Sequence, residues 1–82
     1  MADYADIKSR KVVRFLRWLV ENKGVEVTSG GRHNYKVTCI RNGKSFPIPS
    51  SHKIINRFVV KAFVDWLVEN EICTKEEFDG HI

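Results

Sequence analysis

Four consecutive residues, Gly30, Gly31, Arg32 and His33, gather the types from which phosphate chemistry is built. The glycine pair permits positive φ and close approach of the backbone to a ligand. Arg32 offers a planar guanidinium suited to a phosphate. His33 is the side chain whose unperturbed titration lies near neutral pH, so it can take or give a proton there. Cleavage of a phosphodiester by a neighbouring 2′-hydroxyl needs a base, positive charge around the pentavalent phosphorus, and an acid for the leaving 5′ oxygen. His33 suits the role of base or acid, worth roughly 10²–10⁴-fold when well placed. Arg32, Lys36 and Lys44 could stabilise the developing charge. The scheme requires no metal, and the sequence holds no Cys/His or Asp/Glu/His spacing that would bind one, so no metal or cofactor is expected. His52, ahead of the second long helix, is a second candidate acid, and His81 in the tail is not expected to take part. The plain alternative for His33 is a surface histidine beside a glycine turn.

The elements that must position these residues are legible from periodicity. From about Ile7 to Lys23, Val12, Phe15, Leu16, Leu19 and Val20 form the stripe of an amphipathic helix. Arg10, Arg14 and Arg17 share another face at four- and three-residue spacing, a ridge for phosphates or for an acidic protein partner. Gly24 stands where a left-handed C-cap ends the helix. Val25-Glu26-Val27 reads as a first strand and His33 to Ile40 as a second. Asn42-Gly43 is a hairpin signal, and a two-residue turn there pairs Arg41 with Lys44, Cys39 with Phe46 and Val37 with Ile48. Tyr35, Val37, Cys39, Phe46 and Ile48 then share the buried face. Strand parity would put His33 there too, unless the strand begins irregularly after Gly31 or the imidazole sits at the rim where the sheet meets a helix end. Pro47 and Pro49 lack donors, so the third strand is expected to be an edge or to end there.

A second helix is expected from about Ile54 to Glu71, with Ile55, Val59, Ala62, Phe63, Trp66 and Leu67 inward. Thr74-Lys75-Glu76-Glu77 is a capping-box pattern for a short terminal turn. Residues 1–6 and 79–82 are expected to fray. Phe15–Asn22 and Phe63–Asn70 agree at six of eight positions, which reads as two helices needing the same stripe against one sheet face. The expected fold is therefore α+β: one small domain, residues 1–82, in α-β-β-β-α order, with a three-stranded antiparallel sheet packed against two helices.

The net charge of +4 conceals an asymmetry: residues 1–61 carry +9 and residues 62–82 carry −5. Such a field favours a polyanion on one part of the surface. Cys39 and Cys73 read as reduced core thiols of a cytoplasmic protein. No apolar run is long enough to span a membrane, and no signal-peptide pattern opens the chain, so no membrane partner is expected.

The α-β-β-β-α order is that of the double-stranded-RNA-binding fold, and within it the residues resemble the HicA-type (YcfA-like) toxins of bacterial toxin–antitoxin pairs. The likeness covers roughly Arg14 to Ile72. It rests on Glu21-Asn22-Lys23-Gly24 closing the first helix and on Gly30-Gly31-Arg32-His33 where the family carries Gly-Ser-x-His. Asn42-Gly43-Lys44 in the hairpin and Phe46-Pro47-Ile48-Pro49 before the last helix complete it. Gly31 stands in place of the usual serine, Ser50-Ser51-His52-Lys53 departs from the commoner linker, and the last helix is acidic. The resemblance implies a metal-independent endoribonuclease that cuts mRNA, with His33 as its catalytic residue and a HicB-type antitoxin as its partner. The same fold and charge would also suit an RNA-binding or protein-interaction module that does not cut. A DNA-binding regulator is a weaker reading, because no helix-turn-helix spacing appears.

Overall fold

In a computed structural model, residues 4–29, 34–49 and 53–82 are described. Ile7–Lys8 (β1) leads directly into Ser9–Asn22 (α1), followed by Val25–Ser29 (β2), Tyr35–Cys39 (β3) and Ser45–Ile48 (β4). Ile54–Ile55 (β5), Arg57–Glu69 (α2) and Lys75–His81 (α3) complete the chain. The domain is α+β, with a three-stranded antiparallel sheet in the order β2-β3-β4 and a separate two-stranded ribbon of β1 and β5. There are three helices rather than two, and the third packs on the other two.

The inward stripe of α1 is Val12, Phe15, Leu16 and Leu19, and that of α2 is Val60, Phe63, Val64 and Leu67. They meet Val25, Val37, Cys39 and Ile48 from one face of the sheet. Tyr35 and Phe46 are half-buried on that same face, so the expected set of inward residues holds. Val20 does not join the core and stays 47% exposed. On α2 the stripe is rotated from the expected one: Ala62 is exposed, Ile55 lies in β5, and Val60 and Val64 are buried instead. Phe78 of α3 closes the top of the core, its ring 5.0 Å from Phe15 and 6.4 Å from Phe63.

The hairpin differs from expectation. Val37 pairs with Phe46 and Tyr35 with Ile48, a register two residues from the one a two-residue turn would set. Cys39 and Lys44 close a four-residue loop, Ile40–Gly43, in which Cys39 O accepts from Gly43 N and Lys44 O accepts from Cys39 N, both at 2.8 Å. The physical reason is tertiary. Arg41 Nη2 donates to Asn70 O at 2.6 Å and Asn42 Nδ2 donates to Asn70 Oδ1 at 2.8 Å, which ties the loop to the end of α2. Because a strand alternates with period two, a slip of two leaves every side chain on its expected face. Since Cys39 N–H points to β4, alternation turns Pro47 to the free edge, where its missing donor interrupts nothing.

Other boundaries differ too: β2 runs on through Thr28 to Ser29, and α2 ends at Glu69 rather than Glu71. The first helix begins at Ser9 and the second at Arg57, because Ile7 pairs with Ile55 and Lys8 with Ile54. The capping box at Thr74 and Glu77 opens a full two-turn helix, so Asp79–His81 are helical rather than frayed. At the other end of the chain, Tyr4 packs edge-on against Phe78 at 6.1 Å. His81 stacks on Trp18, with centroids 4.2 Å apart.

Candidate nucleic-acid interface

Strand direction sorts the loops to two ends of the molecule. Ser29, Tyr35 and Ile48 are neighbours across the sheet at one end. At the other end Val25 pairs with Cys39, beside the 40–43 loop and Asn70, the residue that follows α2. Since α1 runs into β2 at Val25, its C-terminus lies at this second end, as does that of α2. Both helix N-termini therefore lie at the first end, side by side. The β1–β5 ribbon fastens them there: Ser9 N donates to Lys53 O at 2.8 Å, and Arg57 N donates to Asp6 Oδ1 at 2.8 Å.

The two N-termini differ in how they are satisfied. In α2, Asn56 caps by accepting from Phe58 N at 2.7 Å, and the Asp6 carboxylate sits on Arg57, with Nε at 3.6 Å. In α1, Lys8 occupies the cap position without any side-chain hydrogen bond, and the first turn holds no acid. Arg10 and Lys11 fill that turn instead. A helix N-terminus carries about half a positive charge and favours anions by roughly 0.3–1 kcal/mol each. Here cations are stacked on it. Lys8, Ser9, Arg10, Lys53 and Ile54 line an open cleft of about 430 Å³ at this point. Arg10, Lys8 and Lys53 form no ion pair among the described residues.

The expected site residues fall into separate places. Gly30, Gly31, Arg32 and His33 lie outside the described residues, as does His52. Arg10, Arg14 and Arg17 are exposed on α1 and lie within an arc of about 60°, roughly opposite the helix's core stripe. Only Arg10 also reaches the cleft. Lys36 is exposed on the face of the sheet turned away from the helices. Lys44 is exposed at the 40–43 loop, beyond Cys39, and the five residues of β3 separate that end from Tyr35 by about 13 Å. Lys44 and the Ser29–Tyr35 pair are thus at opposite ends of the sheet. Trp18 and Trp66 are half-buried against the core.

Sequence reasoning missed Lys8, Lys53 and Phe58. Lys8 and Lys53 are far apart in the chain and meet only through the two-residue ribbon. Phe58 carried a readable signal, since it falls off the inward stripe of α2, and it is 74% exposed. Among the described residues no cluster of His, Cys, Asp or Glu is arranged to hold a metal ion, and no helix is long and apolar enough to cross a membrane. Comparison of the chain with protein-family models, with curated proteins and with solved structures finds no match.

Proposed function

We propose that the domain binds RNA at the end where the N-termini of α1 and α2 meet, and that it cuts RNA by 2′-hydroxyl attack with His33 as base or acid, in the manner of the HicA-type toxins it resembles. The observation that carries the binding reading is the first turn of α1: no side-chain cap, no acid, and Lys8, Arg10, Lys11 and Lys53 around it. The Ser9 N–H is taken by Lys53 O, so a phosphate there gains the first-turn N–H groups beyond it, the helix dipole and several cations together. The role given to His33 rests on the resemblance and on the chemistry of an imidazole. In this reading a HicB-type antitoxin is the partner, and the outward Arg14 and Arg17 are the cations left for an acidic protein surface. The cell compartment is the cytoplasm, where mRNA is found.

Incubation of a mixed mRNA with the purified protein in excess EDTA, beside His33→Ala, tests the proposal. Cutting by the wild type, with binding but no cutting by His33→Ala, supports it. Binding without cutting by both leaves a binding module and removes the nuclease. Equal cutting by both removes His33 from the mechanism.

A further inference from the structure

Phe58 is out of keeping with the rest of the aromatic complement. Phe15, Phe63 and Phe78 are at most 2% exposed and Phe46 is half-buried, whereas Phe58 is 74% exposed. On the helical wheel it lies roughly opposite the Val60, Phe63, Val64 and Leu67 stripe, so the core gains nothing from it. Its backbone N–H is already capped by Asn56. Folding gives no reason for an aromatic ring there.

Its surroundings point to an occupant. Phe58 is the second residue of α2, at the same end as the uncapped α1 N-terminus. Lys53 and Arg57 are exposed on its N-terminal side, and Lys61 lies one turn on. Arg57 is engaged by Asp6 and Lys61 by Asp65, at 2.9 Å. The N-terminus of α2 is therefore already neutralised by a carboxylate, whereas that of α1 is not. One helix start offers a site for phosphate and the neighbouring one offers an apolar ring face. Ile54, 47% exposed, lies between them on β5 and lines the cleft.

We propose that Phe58 is a stacking platform for an unpaired nucleobase whose backbone phosphate is held by Lys8, Arg10 and Lys53, so that the domain selects single-stranded over duplex RNA. The proposal rests on the RNA reading above and adds the form of RNA and the residue that reads it. In a duplex both faces of each base are covered by neighbours, so a protein ring can stack only on unpaired bases. Stacking on an aromatic side chain tolerates every base, so the selection is for strandedness rather than sequence.

The test uses the full chain and a fluorescein-labelled 12-nucleotide strand of mixed sequence, made as 2′-O-methyl RNA to block 2′-hydroxyl attack, with the duplex it forms with its complement. Binding is read by anisotropy for wild type, Phe58→Ala and Phe58→Tyr. Phe58→Ala is expected to weaken single-strand binding by roughly 5- to 150-fold and leave the weaker duplex binding unchanged. Phe58→Tyr should bind within about threefold of wild type, since it keeps the ring face. Equal single-strand binding by wild type and Phe58→Ala overturns the platform while leaving RNA binding intact, as does wild-type preference for the duplex. Failure of wild type to bind either form at low salt overturns the RNA reading and this proposal together.

Discussion

Under the proposed RNA binding, Arg10 occupies a position where folding and binding are opposed, and Arg10→Glu separates the two. It is the second residue of α1, exposed, in a first turn with no acid and no side-chain cap. Removing a cation from that position recovers roughly 0.3–1 kcal/mol and placing an anion there contributes a similar amount. Solvent exposure holds the sum to about 1 kcal/mol. For a chain of this size that raises Tm by about 4–8 °C. The gain should shrink in 0.5 M NaCl, because it is a surface charge effect. RNA affinity moves the other way. One phosphate contact to a single strand adds about 0.7 to the slope of log K against log salt, equivalent to roughly fivefold in affinity at 0.1 M. Reversing the charge should cost at least that, and about tenfold is expected. Thermal melts by circular dichroism and anisotropy titrations at two salt concentrations check both arms. A variant that melts lower than wild type, or one that binds RNA as tightly, would refute the electrostatic account of this end of the molecule.

Three further outcomes are expected. Lys44→Glu should leave RNA affinity within about twofold of wild type, since Lys44 stands at the far end of the sheet; a loss as large as that of Arg10→Glu would move the interface to the hairpin. Glu71 takes the left-handed position after α2 (φ 56), with Ile72 N bonded to Leu67 O and Glu71 N to Val68 O, so Glu71→Gly should stabilise by about 1 kcal/mol, read as a higher Tm. Burial, reinforced by Glu77, pushes the Cys73 thiol from 9.0 up to about 11. Its protonated form is therefore favoured by folding: the contribution is full below pH 9 and is lost as pH rises through about 11, and Cys73→Ala should flatten the denaturant-measured stability over that window.

What could be read locally was read correctly where one residue's own chemistry decides. Gly24 has φ 64 at the end of α1, Thr74 and Glu77 bond reciprocally at 3.1 and 3.0 Å, and Pro47 lies on an edge. The repeated octapeptides behave alike too. Phe15 and Phe63, Leu16 and Val64, and Leu19 and Leu67 are buried, and Asn22 and Asn70 each donate to the tryptophan carbonyl four residues back. What escaped is what only tertiary contact decides. Nothing near Ile7 or Ile55 announces that they pair, yet that pairing trims both helices and brings Lys8 to Ile54 and its neighbour Lys53. Asn42-Gly43 does mark a turn, but Asn70 competes for Arg41 and Asn42 and lengthens the loop. The charge asymmetry pointed to a polyanion, while its focus at one helix start depended on the ribbon.

α1 and α2 run in the same direction, and this has a consequence for how a ligand arrives. Antiparallel helices would cancel each other's dipoles; these two add, giving about one full positive charge at their shared start and one negative at their shared finish. The side chains keep the imbalance: Lys8, Arg10, Lys11 and Lys53 stand at the start with Asp6, whereas at the finish Glu21, Glu69 and Glu71 offset Lys23, Arg41 and Lys44. The whole molecule is a large permanent dipole, and a polyanion exerts a torque on it before any contact forms. If RNA binds as proposed, the domain is turned to present its cleft during the approach, so productive encounters should outnumber those of random orientation. That advantage belongs to the association rate and fades as salt shortens the reach of the field.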